Sequence, residues 1–154
     1  MIALLQRVSM ARVEIANAVA GEIARGVLAL IGVEQGDTEA QATRLAARIL
    51  GYRMFADAQD KMNLSVQDIN GGVLLVPQFT LAADTATGTR PSFTPAAAPD
   101  IGRRLFDHLA SCVRLQYSHV ATGVFGAGMQ VHLINDGPVT FWLRSPPVSH
   151  TTGA

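Results

Sequence analysis

Two short segments of the sequence carry residue types that could take part in chemistry. Pro77-Gln78-Phe79-Thr80 places an amide, an aromatic ring and a hydroxyl at the end of an apolar run. Asn135-Asp136-Gly137-Pro138 combines a turn-forming Asp-Gly pair with a proline whose peptide bond has access to the cis form. From the residue types alone, an ordinary strand end and an ordinary hairpin turn are the first interpretations of these segments.

A functional interpretation of each segment relies on the backbone. At residues 77–80, successive N–H groups that point into a cleft could form an oxyanion hole, with Gln78 and Thr80 positioning the substrate. At residues 137–138, the proline could make the main chain rigid and fix the direction of the neighbouring carbonyl groups.

Other catalytic arrangements are not evident. The single cysteine, Cys112, and the scattered histidines show no metal-ligand spacing, so no metal site and no cofactor are predicted. These histidines are His108, His119, His132 and His150. The glycines of residues 123–128 lack the spacing of a phosphate-binding loop and indicate a bulge or turn. Two carboxylate pairs in turn-like contexts are expected to be solvated: Glu34 with Asp37, and Asp57 with Asp60. By elimination, catalysis would use backbone donors, a hydroxyl or the substrate itself.

The elements that must position these segments are short β-type runs, separated by turn residues. The predicted strands are Ile2–Val8, Arg12–Ile15, Val19–Ile23, Val27–Val33, Tyr52–Phe55, Val73–Leu81, His119–Phe125, Met129–Ile134 and Val139–Leu143. Within them, Val27–Ile31 is continuously apolar, which predicts a strand buried on both faces. Residues 83–99 form a long Ala/Thr/Pro/Gly-rich loop, and a loop of this length in a compact domain is typical of a functional segment.

Two amphipathic helices are predicted among the strands. The first has Asp37 as its N-cap and ends near Gly51, and the second starts near Pro99-Asp100. Their apolar faces are Ala42, Leu45, Ala46 and Ile49 in the first helix, and Ile101, Leu105, Leu109 and Val113 in the second. We therefore predict a mixed α/β fold of many strands in layered, barrel-like sheets with two helices. It forms a single domain over residues 1–144, followed by a loose tail at residues 145–154.

The composition restricts the class of protein. The 154 residues are 49% hydrophobic and 16% charged, and twelve basic side chains cancel twelve acidic ones. Such a chain collapses rather than staying disordered, and it lacks the basic excess that captures nucleic acid through a diffuse field. Residues 1–8 do not resemble a signal peptide, no apolar stretch reaches the roughly 20 residues of a membrane span, and one cysteine suits a reducing compartment. We expect a cytoplasmic protein.

From Met1 to about Arg144 the sequence resembles the D-aminoacyl-tRNA deacylases. The resemblance consists of many blocks in the same order, which makes it far more specific than one short motif. The matching blocks are Leu5-Gln6-Arg7-Val8, Leu50-Gly51-Tyr52-Arg53, Lys61-Met62-Asn63-Leu64, Gln78-Phe79-Thr80-Leu81-Ala82-Ala83-Asp84, Arg90-Pro91-Ser92-Phe93, Met129-Gln130-Val131 and Asn135-Asp136-Gly137-Pro138-Val139-Thr140-Phe141-Trp142.

The resemblance implies a homodimer that hydrolyses the ester between a D-amino acid, or glycine mischarged on tRNA-Ala, and the 3′-terminal adenosine of tRNA. It implies no metal or cofactor, and the aminoacyl-tRNA 3′ end as partner, without membrane or DNA. The catalytic segment maps to Gln78, Phe79 and Thr80, whose main-chain N–H groups would stabilise the oxyanion while the 2′-hydroxyl of the adenosine assists the attack. The family's Gly-cisPro motif maps to Gly137-Pro138.

In the family, that motif enters the neighbouring pocket from the partner subunit, at the dimer interface. Its carbonyls hold the α-amino group of the substrate and leave no room for an L side chain, whereas glycine fits. Arg7 matches an arginine that orients the motif, and Met129 belongs to a block at the substrate pocket. Two positions depart from the family pattern: Pro77 replaces a serine, and Gly128 replaces an aspartate that often precedes Met129.

Two alternatives stay open. A related branch edits L-alanine mischarged on threonine tRNA, and it carries Pro-Gln at this point, a trans Gly-Pro and no phenylalanine. Pro77 favours that branch, whereas Phe79 and Arg7 favour the D-specific one. The second alternative is a dimer that binds an RNA end without chemistry. Because eleven of the twelve basic residues are arginines, a few directed contacts to the 3′ end fit this neutral chain better than a basic face.

Overall fold

The computed structural model describes residues 1–147 and has the predicted mixed α/β character. Eight strands, two α-helices and one short 3-10 helix follow one another along these residues. They are β1 (Ile2–Ile15), β2 (Ala18–Ile23), β3 (Gly26–Gly32), α1 (Glu39–Gly51), β4 (Phe55–Ala56), β5 (Met62–Leu64), β6 (Gly72–Pro77), the 3-10 helix (Phe79–Ala82), α2 (Pro99–Gln116), β7 (Val120–Thr122) and β8 (Gln130–Arg144).

One six-stranded sheet forms the body of the fold, and it is nearly closed into a barrel. Its order is β2-β1-β3-β6-β7, and β8 pairs with β1 along almost its whole length. The pairs of β1 with β2, β3 and β8 are antiparallel, whereas β6 runs parallel to β3 and β7. A Cβ atom on Gly21 of β2 would lie 2.8 Å from the Thr122 carbonyl of β7, so the two ends of the strand order meet. The barrel-like prediction is confirmed.

The core has two parts, one on each side of the sheet. Val27, Ala29 and Ile31 of β3 pack into the larger cluster beneath α1 and α2, whereas Leu28 packs into the smaller cluster. Consecutive residues of β3 are therefore buried on opposite faces, as its continuous apolar run predicts. The second helix buries Leu105, Leu109 and Val113 but leaves Ile101 38% exposed near its start, so the predicted apolar face is wrong at that residue.

Several predicted strand limits are wrong. The separate runs Ile2–Val8 and Arg12–Ile15 form the single strand β1, and Met129–Ile134 and Val139–Leu143 both belong to β8. The strands at Tyr52–Phe55 and His119–Phe125 shrink to β4 and β7. The predicted strand Val73–Leu81 ends at Pro77, because proline has no N–H to continue the ladder and the chain then turns into the 3-10 helix.

The start of α1 also differs from the prediction. Thr38, not Asp37, is the N-cap, and it forms a capping box with Gln41. Asp37 is buried instead, where its carboxylate accepts from the Met1 ammonium (2.8 Å) and from the Glu34 N–H (2.7 Å). The Met1 ammonium also contacts Glu34 at 2.9 Å. The expectation that Glu34 and Asp37 are solvated is therefore wrong, because a distant amine folds back onto both.

The second carboxylate pair matches its turn context. Asp57 accepts from the N–H groups of Gln59 and Lys61 and from the Asn63 side chain, while Asp60 is exposed. The segment 123–129 that follows β7 is a turn, as its glycines predict.

Of the predicted tail, Ser145 is buried, and it exchanges hydrogen bonds with Met1. Residues 148–154 lie outside the described residues. Neither helix within residues 1–147 combines the length and the apolar character needed to cross a membrane.

Candidate functional site

The segment after β6 presents two backbone N–H groups that have no acceptor among residues 1–147. Pro77 pairs with Ile31 of β3, and the Gln78 N–H donates to the Ile31 carbonyl at 2.7 Å. The chain then enters the 3-10 helix, whose first N–H groups lack a preceding helical carbonyl. Within residues 1–147 the N–H groups of Phe79 and Thr80 donate to no acceptor. The geometry thus provides two adjacent amides that can bind an oxyanion.

The side chains of this segment lie at the surface. Phe79 is 56% exposed, and its ring packs against Phe93 with a centroid separation of 5.2 Å. The Gln78 side-chain amide donates to the Thr80 hydroxyl oxygen at 2.5 Å. No histidine or carboxylate hydrogen-bonds to Thr80 within the described part of the chain. An activated hydroxyl nucleophile needs such a base, so the geometry favours the backbone over the Thr80 hydroxyl as the reactive feature.

Two clefts open on either side of Phe79. The helix-side cleft, of about 260 Å³, is almost entirely apolar. Its lining includes Val33, Phe79, Pro99, Gly102, Phe106 and Phe125. The β8-side cleft, of about 310 Å³, contains more polar surface. Its lining includes Gln78, Phe79, Phe125, Ala127, Met129 and Val131. Pro77, Phe79, Phe125 and Gly126 belong to both clefts, so they form a shared wall.

The long loop at residues 83–99 reaches this site, in line with a functional role. It is fastened near its start by paired backbone hydrogen bonds between Asp84 and Ser92. Near its end the Ala97 N–H donates to the Val33 carbonyl at 3.0 Å, just after β3. These anchors place Phe93 against Phe79 and bring Pro99 to the helix-side cleft.

The Met129 side chain lines the β8-side cleft, where it packs closely against Gly123. A Cβ atom on Gly123 would lie 2.8 Å from the Met129 sulfur and 3.5 Å from Pro77 Cδ. A larger residue at position 123 would therefore displace the Met129 side chain from its place next to Pro77. The structure thus brings Met129 together with the Gln78, Phe79 and Thr80 segment.

Gly137 and Pro138 lie elsewhere, in an irregular part of β8, residues 136–139 with 136–138 exposed, which we call the projecting loop. The register pairs Gln6 with Thr140 and Val8 with Asn135, so residues 136–139 all lie opposite Arg7 alone. The Gly137–Pro138 bond is cis, and Gly137 has φ +151°. The hairpin interpretation is wrong, because the strand continues against the same partner, β1, on both sides of the loop.

Arg7 and Asn135 fasten this projecting loop (residues 136–139). The Arg7 guanidinium donates from Nε to the Asp136 carbonyl at 3.0 Å and from Nη1 to the Met54 carbonyl at 3.1 Å. Its Nε also lies 3.5 Å from the Asp136 carboxylate. Asn135 donates to the carbonyls of Arg7 and Val139. Arg7 therefore contacts the segment that precedes Gly137, where the resemblance assigns it.

The two groups of predicted site residues are apart within one chain. In the sheet register, Pro77 of β6 pairs with Ile31 of β3, whereas Arg7 of β1 pairs with Val27 of the same strand β3. Four residues along a strand correspond to about 13 Å, and β1 and β3 also separate the two groups laterally. Neither cleft beside Phe79 is lined by Gly137 or Pro138.

Some residues of the site escaped the sequence analysis. Phe125 was predicted as the last residue of a strand, next to glycines that indicated a turn, and its position as a lone aromatic among glycines was its only distinguishing mark in the sequence. Asn135 was attributed to a turn, and its two hydrogen bonds to backbone carbonyls have no sequence signal. Within residues 1–147 no three His, Cys, Asp or Glu side chains converge as metal ligands.

Comparisons with known proteins agree with the resemblance. The model of the family described as "D-Tyr-tRNA(Tyr) deacylase" matches residues 4–144. A D-aminoacyl-tRNA deacylase of Thioalkalivibrio sulfidiphilus (strain HL-EbGR7) is 64% identical over 147 residues, covering 96% of this chain and 99% of that protein. One of Cupriavidus metallidurans (strain ATCC 43123 / DSM 2839 / NBRC 102507 / CH34) is 60% identical over 155 residues, covering 97% and 99%.

Two solved structures share the fold. The protein described as "c-Myc DNA Unwinding Element Binding Protein" superposes with a TM-score of 0.90 at 35% identity, covering 95% of this chain and 99% of that one. A "probable eukaryotic D-amino acid tRNA deacylase" superposes with a TM-score of 0.79 at 17% identity, covering 92% and 97%, and shows likeness of fold alone. With the family model matching nearly the whole chain and relatives at 60% identity or more, the chain belongs to the D-Tyr-tRNA(Tyr) deacylase family.

Proposed function

We propose that this chain hydrolyses the ester bond of D-aminoacyl-tRNA and releases free D-amino acid and tRNA. The observation that carries the proposal is the pair of adjacent N–H groups of Phe79 and Thr80, which have no acceptor within residues 1–147 and belong to a segment whose Phe79 lines two clefts. Family membership and the names of the relatives support the same substrate class. A neutral chain that acts only on the 3′ end of RNA needs no basic face.

In the proposed reaction, water attacks the carbonyl carbon of the ester and the N–H groups of Phe79 and Thr80 bind the developing oxyanion. The carbon–oxygen bond to the ribose then breaks, and the 3′-oxygen of the adenosine takes up a proton. The 2′-hydroxyl of the adenosine assists the attack in place of a protein base. Gln78 orients Thr80, as its side-chain hydrogen bond supports. Neither metal nor cofactor takes part.

We further propose that two chains form a homodimer and that each supplies the projecting loop to the other. Within one chain the loop is remote from Phe79, so the site is complete only with a second copy. Exposed apolar residues on β8 support this assembly: Ile134 is 58% exposed, and Trp142 and Val131 are exposed as well.

In the dimer the carbonyls of Gly137 and Pro138 hold the α-amino group of the substrate, and Met129 lines its pocket. An L side chain is excluded, whereas glycine fits, including glycine mischarged on tRNA-Ala. We place the reaction in the cytoplasm, where aminoacyl-tRNA is found and where a single cysteine is in keeping with reducing conditions.

A second candidate function is favoured by Pro77. The related branch that edits L-alanine on threonine tRNA carries proline at this position, and Pro77 cannot supply a serine hydroxyl to the substrate. Phe79 and Arg7 favour the D-specific reaction. Two observations support this preference: Phe79 lines both clefts, and Arg7 on β1 donates to the Asp136 carbonyl of the projecting loop.

The deciding experiment compares the deacylation of D-Tyr-tRNA, L-Tyr-tRNA, glycyl-tRNA-Ala and L-alanyl-tRNA-Thr at equal enzyme concentration. We expect hydrolysis of the first and third substrates only. Cleavage of L-alanyl-tRNA-Thr without cleavage of D-Tyr-tRNA would establish the editing alternative. Binding of tRNA with an unchanged ester lifetime would leave a binding module and refute the proposal.

A further inference from the structure

Arg103 lies in the first half of α2, beside the wall that the two clefts share. Its guanidinium carbon stacks over the Phe125 ring, 5.2 Å from the ring centroid. A Cβ atom on Gly126 would lie 3.6 Å from Arg103 Nη2. The guanidinium therefore spans residues 125–126, which line both clefts.

The ring beneath Arg103 is itself held in place. A Cβ atom on Gly102 would lie 3.3 Å from Phe125 Cζ, so the helix backbone packs directly against the ring edge. The Phe125 ring thus packs against α2 at Gly102 and stacks with the guanidinium of Arg103. This arrangement gives an otherwise flexible side chain one defined position at the rim of the site.

The charge of Arg103 has no acidic partner within residues 1–147. The next residue, Arg104, lies 3.6 Å from the Glu39 carboxylate of α1 and so has its partner. Stacking on an aromatic ring orients a guanidinium but leaves its N–H groups available for another acceptor. The third arginine of the helix, Arg114, donates to the Thr122 hydroxyl, so Arg103 differs from both in having neither an acidic partner nor a side-chain hydrogen bond within residues 1–147.

We propose that Arg103 binds a phosphate of the RNA substrate next to the terminal adenosine. It thereby positions the aminoacylated end against the N–H groups of Phe79 and Thr80. The inference rests on the proposed function. Because Phe125 and Gly126 line both clefts, the guanidinium lies next to a wall of each and is placed to meet a phosphate attached to a nucleoside bound in either one.

The chemistry of the two groups is complementary. A planar guanidinium matches the oxygens of a phosphate with two parallel N–H donors. A chain with zero net charge has no diffuse field to hold RNA, so its affinity depends on a few directed contacts of this kind. Arg103 is a positioning residue in this scheme and takes no part in bond making or breaking.

The test compares two substrates that share the ester and the nucleoside and differ in phosphate. One is D-Tyr-tRNA, and the other is D-tyrosyl-adenosine, which has no phosphate. We expect Arg103→Ala to raise the KM for D-Tyr-tRNA about three- to tenfold with little change in kcat. Its rate on D-tyrosyl-adenosine stays that of the wild type. The slope of log kcat/KM against log salt falls by about 0.7, the value for one contact to a single strand.

Two further variants complete the design. Arg103→Met keeps an apolar stem over Phe125 and should reproduce the losses of Arg103→Ala, because only the charge is removed. Arg104→Ala removes an equal charge from the same helix at a paired position, and it should leave both substrates and the salt slope unchanged.

The outcomes separate the inference from the function on which it rests. Equal losses on the two substrates would mean that Arg103 only supports the wall, and would overturn the inference, as would an unchanged KM for D-Tyr-tRNA. An effect of Arg104→Ala as large as that of Arg103→Ala would overturn it too, because a general charge effect would then explain both. A wild type that hydrolyses neither substrate would refute the proposed function itself and the inference with it.

Discussion

Asn135 and Arg7 hold each other at the point where β1 and β8 separate. The Asn135 side chain donates to the Arg7 carbonyl at 2.9 Å, and the Arg7 guanidinium donates to the Asp136 carbonyl at 3.0 Å. Asn135 also donates to the Val139 carbonyl at 3.0 Å, on the far side of the projecting loop. The Asn135 side chain thus links β1 to the far end of the projecting loop, and the Arg7 side chain binds the first residue of the loop. Gly137 and Pro138 therefore lie between two points that are fixed by hydrogen bonds.

Asn135→Ala should release this loop while the fold is retained. The variant loses two hydrogen bonds and leaves two carbonyls without this donor, which costs about 1–3 kcal/mol of unfolding free energy. We expect kcat/KM for D-Tyr-tRNA to fall at least tenfold, because the loop no longer has one position. Asn63→Ala is the control, since Asn63 also donates from its side chain, but to Asp57 and to no residue of the projecting loop within residues 1–147. Equal activity of the two variants would contradict the prediction.

Gly137→Ala should abolish activity without unfolding the protein. Gly137 has φ +151°, and a Cβ atom there would lie 2.5 Å from the Val139 backbone nitrogen, so the loop has to change shape. We expect at least a hundredfold fall in kcat/KM with a change of only a few degrees in Tm, because residues 136–138 are exposed. Gly51→Ala, at a glycine with no neighbouring atoms within 4 Å, should retain full activity. Retained activity in Gly137→Ala would show that the loop takes no part.

Thr80→Ala should lower kcat less than tenfold, because the proposed oxyanion donors belong to the main chain. The variant loses the Gln78–Thr80 hydrogen bond and some positioning, but it keeps both N–H groups. Single-turnover deacylation of D-Tyr-tRNA measures the effect. Complete loss of activity in a folded variant would instead identify the Thr80 hydroxyl as a nucleophile.

Ile134→Arg should separate the proposed dimer and remove activity with it. An arginine in the middle of an apolar interface loses its water without gaining a partner. The expected results are a monomer mass by light scattering and a large loss of deacylation. The control is Leu115→Arg on α2, where an apolar residue that is 87% exposed lies away from β8. A monomeric wild type would refute the assembly, and an active monomeric variant would refute the shared site.

Glu34→Gln should weaken the fold in a pH-dependent manner. Burial opposes the ionisation of Glu34, but the Arg144 guanidinium and the Met1 ammonium outweigh it and lower the pKa of the carboxyl from the ordinary value of 4.5. Because the pKa is lower in the folded state, the charged form adds stability above pH 4.5, and this contribution is lost as the pH falls through the folded value.

Urea denaturation between pH 3 and pH 7 measures this effect. The difference in unfolding free energy between the wild type and Glu34→Gln should be largest near pH 7 and should shrink below pH 4.5. Glu22→Gln, at an exposed glutamate of β2 outside every ion pair within residues 1–147, should show no such trend. A difference that grows toward acid would contradict the assignment.

Local patterns in the sequence predicted the parts of the fold that depend on neighbouring residues. The continuous apolar run of β3 and the helical spacing of Leu105, Leu109 and Val113 led to buried elements, because periodicity reports burial directly. Contacts between residues that are far apart in the sequence produce no such periodic pattern, so they could not be predicted. Asp37 is buried by an amine 36 residues away, and Asn135 is fixed by Arg7 across the sheet.

The candidate site was predicted in part for the same reason. The Phe79 and Thr80 segment was singled out because it closes an apolar run, which is visible locally, although the strand itself ends earlier than predicted, at Pro77. The projecting loop looked like a hairpin, because Asp136-Gly137 is a turn signal whether the chain then reverses or continues. Phe125 was missed, since its role depends on where Gly102 and Arg103 of α2 meet it.

The wall shared by the two clefts limits how the specificity of this protein can change during evolution. Phe79 and Phe125 form part of both compartments, so a substitution at either residue alters the two volumes at once. Residues that line a single compartment, such as Phe106 on one side and Met129 on the other, can vary without affecting the opposite one. Divergence in the group that each compartment accepts should therefore be found at such residues, while the aromatic pair stays constant.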